Sequence, residues 1–76
     1  PKHIIDVSLA GQDLRGADLR DACLERVDLS GAQLSFADLR NAILIDCRLN
    51  DAILHSARLG AARLTGGSLA RANLSR

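Results

Sequence analysis

The sequence predicts an all-β fold, a parallel β-solenoid whose chain bends once every five residues. Three observations carry this. Leucine or isoleucine recurs at every fifth position from Ile4 to Leu74 without a slip. A small residue stands two places before most of them. Glycine, asparagine or aspartate stands two places after many of them.

The aliphatic positions are Ile4, Leu9, Leu14, Leu19, Leu24, Leu29, Leu34, Leu39, Leu44, Leu49, Leu54, Leu59, Leu64, Leu69 and Leu74, and they form the expected core stack. A helix cannot explain them. Five residues advance a helix by about 500°, so successive leucines smear around the cylinder and leave no apolar stripe. A continuous strand fails as well, because an odd spacing throws alternate leucines to opposite faces. The spacing works only if the chain turns within each unit, so that every leucine points inward.

The small residues follow from the same geometry. Ala17, Ala22, Ala32, Ala37, Ala42, Ala52, Ala57, Ala62 and Ala72, with Val7, Val27, Cys47 and Gly67 as near-equivalents, lie two places before a core position. Alternation in an extended segment puts them on the leucine's side. Gln12 and Lys2 are the exceptions.

Each bend then has to lie just after the leucine. Gly11, Gly16, Gly31, Gly66, Asp21, Asn41, Asp46 and Asp51 occupy the second place after it, and such residues tolerate the positive φ of a type II turn's third position. With roughly 90° per bend, four units close a coil of about 20 residues, and coils stack about 4.8 Å apart. The chain makes about 3.75 such coils. Face 1 then carries Ile4, Leu24, Leu44 and Leu64. Face 2 carries Leu9, Leu29, Leu49 and Leu69, face 3 carries Leu14, Leu34, Leu54 and Leu74, and face 4 carries Leu19, Leu39 and Leu59.

The units GADLR, GAQLS, FADLR, NAILI, DAILH and RANLS resemble the pentapeptide repeat family, whose pattern is A-(D/N)-L-x-x. The resemblance spans essentially the whole chain. It implies a right-handed quadrilateral β-helix, and the handedness comes from the family alone. Leucine-rich repeats space their leucines unevenly, whereas these are even.

Residues 1–76 make one solenoid domain, expected to be a module of a longer protein, since the chain opens at Pro1 and contains no Met. Phe36 is the single aromatic ring apart from His3 and His55, so the core cannot rest on large rings. The net charge of +1 argues for neither nucleic acid nor a membrane surface. Residues 1–38 carry seven acids against four bases, and residues 39–76 two against six. No apolar run reaches the roughly 20 residues that span a bilayer, and a cytoplasmic location is expected. The C-terminal end has no polar cap, so further chain, an attached domain or a second molecule is expected there.

No catalytic residue, cofactor or metal site is expected. His3 and His55 lie on opposite walls, and outward Cys23 and inward Cys47 share neither a disulfide nor a site. Ser56 beside His55 lacks a third group to orient the pair. Among the charges, Asp28 lies under Arg48 and Asp38 under Arg58, one coil apart, as cross-strand pairs.

The departure from the family pattern is apolar. Cys23 and Ile43 share one outward column of face 1, and Ile5, Glu25 and Ile45 share the other. Ile5, Cys23, Ile43 and Ile45 are therefore the candidate interaction surface. Ile53 projects from face 3, and Phe36 takes a bend position where the family usually has a polar residue. The expected function is a non-enzymatic scaffold presenting flat faces to a protein partner or positioning neighbouring domains. The resemblance also implies a second role, since some members mimic B-form DNA, bind DNA gyrase and protect it from quinolones. Here Asp18 and Asp38 begin an acidic column that Arg58 ends. A third role is as a domain of a secreted or secretion-associated bacterial protein.

Overall fold

A computed structural model describes residues 2–75. Four short strands, β1 (His3–Ile5), β2 (Cys23–Glu25), β3 (Ile43–Ile45) and β4 (Arg63–Thr65), form one parallel sheet in chain order. Their register pairs Ile4 with Leu24, Leu24 with Leu44 and Leu44 with Leu64. This sheet is face 1. The other walls are held by single parallel bridges in the same 20-residue register. Ser8–Asp28–Arg48–Ser68 runs up face 2, Asp13–Gln33–Ile53–Asn73 up face 3, and Asp18–Asp38–Arg58 up face 4. Among the described residues there is no helix.

The bends take the form that the glycines and aspartates foretell, and extend it to residues that give no such signal. Positive φ occurs at Asp6, Gly11, Gly16, Asp21, Arg26, Gly31, Phe36, Asn41, Asp46, Asp51, Ser56, Ala61, Gly66 and Arg71, which is the second place after each core residue from Ile4 to Leu69. Most of these bends close with a bond from the residue after the bend to the leucine carbonyl, as in Gln12 N–H to Leu9 O (3.2 Å) and Ala32 N–H to Leu29 O (3.0 Å). The bend residue's own N–H donates to the next coil, as Gly31 does to Asn50 O at 2.8 Å. The backbone geometry is thus set by the stacked coils, and Arg, Phe or Ala accepts an unfavourable φ where a neighbour coil imposes it.

The acidic residue of the repeat has a local task. Asp13, Asp18, Asp28 and Asp38 each accept a bond from the backbone N–H two residues later, at 3.0 to 3.2 Å. An Asx-type bond thus satisfies an outward N–H at the start of the bend.

The core is aliphatic throughout. Leu19, Leu24, Leu29, Leu34, Leu39, Leu44, Leu49 and Leu54 are buried, with Ala22, Ala32, Ala37, Ala42, Ala52, Val27 and Cys47 filling the corners beside them. Burial is deepest where a coil lies on both sides. Ile4, Leu9 and Leu14, in the first coil, are half-buried and pack against this cluster. The expected core stack is not uniform: Leu59, Leu64, Leu69 and Leu74, in the last described coil, are 37 to 53% exposed. Eight leucines of the last two levels line an apolar cavity of about 100 Å³ there.

Val7, Val27, Cys47 and Gly67 all fall at the bend between faces 1 and 2. Gly67 does not continue the inward series, because its φ is +71° and a Cβ on it would run into the Cys47 carbonyl.

Candidate interaction surface

Face 1 differs from the other walls because its strands run for three residues and hold two ordered outward columns. One is His3, Cys23, Ile43 and Arg63. The other is Ile5, Glu25, Ile45 and Thr65. Ile5 is 41% and Ile43 40% exposed, and Cys23, Glu25 and Ile45 are half-buried between their neighbours. The structure therefore brings the four candidate residues Ile5, Cys23, Ile43 and Ile45 onto one wall, but not as an unbroken apolar patch. Glu25 separates Ile5 from Ile45, and Cys23 separates His3 from Ile43. Ile53 is 41% exposed on face 3. Phe36 is 64% exposed at its bend, where it meets His55 edge-on with ring centres 5.7 Å apart. His55 Nδ1 lies 3.1 Å from the Ser75 hydroxyl one coil further on.

Many of the remaining charges are paired, though not as the register alone suggests. Asp28 stands beside Arg48 and Asp38 beside Arg58 in the bridges. The Asp38 carboxylate nevertheless turns to Arg40 (2.6 Å) and faces Arg20 at 3.9 Å, and Asp28 accepts from the Ser30 backbone. An arginine two residues along the same edge reaches the carboxylate in both of its N–H directions without crossing to another coil. Asp13 and Arg15, Asp18 and Arg20, and Asp38 and Arg40 all use this two-pronged arrangement. The bond to the Arg15 side chain lowers the Asp13 carboxyl to about 2, and the Arg20 side chain lowers Asp18 further. Between coils, Arg26 holds Asp6 and Arg71 holds Asp51. On the inside, burial pushes the Cys47 thiol up, and that thiol donates to the Leu24 carbonyl at 3.3 Å.

In one respect the wall departs from the sequence expectation. His3 and Cys23 are direct neighbours across β1 and β2, and Glu25 lies two residues beyond Cys23 on the same side. A ligand atom from each lies within 4.8 Å of the others. Sequence comparison of like with like, histidine with histidine and cysteine with cysteine, passes over this trio. The 20-residue spacing from His3 to Cys23 is the signal that reveals it.

A profile of pentapeptide repeats matches residues 4–31 and 28–69, in 8 copies. The chain belongs to the pentapeptide repeat family. Among solved structures, this family member is similar to a pentapeptide repeat protein, Rfr23, from the cyanobacterium Cyanothece 51142. The two share 31% identity over 96% of this chain and 53% of that one, with a TM-score of 0.52. It is also similar to HetL, a pentapeptide repeat protein involved in heterocyst differentiation regulation in the cyanobacterium Nostoc sp. strain PCC 7120. Identity there is 36% over 95% of this chain and 38% of that one, with a TM-score of 0.40. The chain thus spans about half the length of the first structure and less of the second. No curated protein matches it. With family and parallel register together, the fold is a right-handed quadrilateral β-helix. Pentapeptide repeat proteins are in general non-enzymatic structural modules. Among the described residues, no helix is long and apolar enough to cross a membrane.

Proposed function

We propose that this β-helix is a non-enzymatic interaction module with two distinct contact surfaces. Face 1 receives a protein partner, and the C-terminal end stacks on a second copy of the chain or on a flanking domain. The observation that carries the first half is the regular three-residue strand face with Ile43 and Ile5 about 40% exposed and Ile45 beside them. Isoleucines on a flat sheet give a partner apolar area without the entropy cost of ordering long side chains. The wall is small, so the contact it supports is of the weak, reversible class.

The end has different chemistry. Leu59, Leu64, Leu69 and Leu74 are 37 to 53% exposed around an apolar cavity at the edge of the last described coil. Such an edge favours β-stacking. The DNA-mimic reading needs free negative charge along the tube, and the carboxylates of Asp13, Asp18 and Asp38 are each held by an arginine. Their field at the distance of a partner is largely cancelled. That supports the scaffold reading over gyrase binding.

A photo-crosslinking residue at position 43, compared with one at position 33 on face 3, tests the face assignment in the producing cell. The expected result is a discrete heterologous adduct from position 43 that disappears when Ile45 and Ile5 are changed to Thr. Equal adducts from positions 33 and 43 would refute the assignment.

A further inference from the structure

We propose that His3, Cys23 and Glu25 form a binding site for a divalent cation of the Zn²⁺ class on face 1. The inference goes beyond the docking role and does not depend on it, since the ion alone is the ligand.

The three donors come from two adjacent strands in fixed register. His3 of β1 pairs with Cys23 of β2, and Glu25 follows Cys23 by two residues, so all three side chains leave the same side of the sheet. Their ligand atoms already lie within 4.8 Å of one another. Tetrahedral donors at about 2.0 to 2.3 Å from a zinc ion stand roughly 3.3 to 3.8 Å apart. His3 Nε2 and Glu25 Oε1 are within that range, at 3.7 Å. The remaining closure is within reach of side-chain rotation on an outward face.

The carboxylate is also oriented. Arg26 donates to Glu25 Oε2 at 3.2 Å, which leaves Oε1 turned toward His3. Arg26 is in turn fixed by the Asp6 carboxylate one coil below. An outer partner that holds a ligating carboxylate is a usual feature of metal sites.

The donor set selects the ion. One thiolate, one imidazole and one carboxylate suit Zn²⁺ and its borderline neighbours, whereas Mg²⁺ and Ca²⁺ require oxygen donors throughout. Three protein donors on an exposed wall leave at least one coordination position to solvent. On binding, the Cys23 thiol gives its proton to solvent and the sulfur lone pair forms the metal bond.

The test uses the 76-residue chain without a histidine tag, titrated with Co²⁺ and then with Zn²⁺. The expected result is a near-ultraviolet thiolate-to-cobalt band at one ion per chain, bleached by Zn²⁺. Cys23→Ser should abolish the band, and His3→Ala or Glu25→Gln should raise the Kd at least about 10-fold. Arg26→Ala should weaken binding less than these. Cys47→Ala should leave the band in place. On the unsubstituted chain, Zn²⁺ should shift the nuclear magnetic resonances of His3, Cys23 and Glu25 and spare His55, a readout that needs no variant to fold. No band and no shifts at millimolar Co²⁺ or Zn²⁺ would overturn the site. So would a band that survives Cys23→Ser, or an affinity indifferent to His3→Ala.

Discussion

Truncating one leucine in the middle of face 1 and its counterpart one coil later should cost very different amounts. Leu44 is 3% exposed and Leu64 is 42% exposed, although both occupy the centre of a strand in the same column. Leucine to alanine removes three carbon groups, worth about 2.4 kcal/mol when fully buried, at about 0.8 kcal/mol each. At Leu44 the coils above and below hold the gap open. A cavity of roughly 70 Å³ adds about 1.7 kcal/mol, giving a loss of about 4 kcal/mol. At Leu64 no coil encloses a gap, and scaling the transfer part to the covered fraction leaves about 1.4 kcal/mol. Urea unfolding of Leu44→Ala and Leu64→Ala at low micromolar concentration measures the difference directly. Equal losses would show that the last coil is covered by something other than solvent, and that exposure at the end does not set the energetics of this core.

Acid should destabilise the fold only at low pH. The Asp13 carboxyl sits at about 2 in the folded chain against 3.8 ordinarily, and Asp6, Asp18, Asp28, Asp38 and Asp51 are lowered as well. Depressed carboxyls contribute stability above their unfolded pKa and lose it as pH falls through the folded value. The melting temperature should therefore hold down to about pH 4 and decline toward pH 2, with Arg15→Ala and Arg40→Ala flattening the decline. Gly31→Ala and Gly67→Ala should separate conformational strain from collision. Both glycines have positive φ, but a Cβ at Gly31 meets nothing whereas one at Gly67 meets the Cys47 backbone. Losses of about 1 kcal/mol and clearly more than that are expected in thermal unfolding. The reverse change at Ala61, whose φ is +60°, should stabilise by about 0.5 to 1 kcal/mol as Ala61→Gly. In a supercoiling assay the chain should leave gyrase uninhibited at micromolar concentration. Inhibition lost on Asp18→Lys would restore the DNA-mimic role.

The even spacing of the leucines was enough to read the coil, its faces and the neighbours on each wall. A strict period admits one register, and a shift by even one residue would turn every leucine outward. Val7, Val27 and Cys47 also record the coil length, since larger corner residues recur at the one bend that follows a full strand. Less legible were the bends at Arg26, Phe36 and Ala61. Their residue types do not favour positive φ, and the neighbouring coils impose it. The ion pairs depart from the register for a related reason. Register predicts which backbones are adjacent, but a long arginine side chain chooses among all carboxylates in reach, and Arg40 reaches Asp38 before Arg58 does. The His3, Cys23 and Glu25 trio is written in the same spacing as the leucines, and emerges only when unlike donors are compared across coils.

The central claim is a division of labour between face 1 and the C-terminal end, and sedimentation velocity across a concentration series tests it most directly. If the chain self-associates, Leu64→Asp with Leu74→Asp should return it to a monomer, because those leucines border the open end. Ile43→Thr with Ile45→Thr should leave both folding and oligomeric state unchanged, since threonine suits an outward strand position. An oligomer that persists in the leucine variant and dissociates in the isoleucine variant would contradict the account.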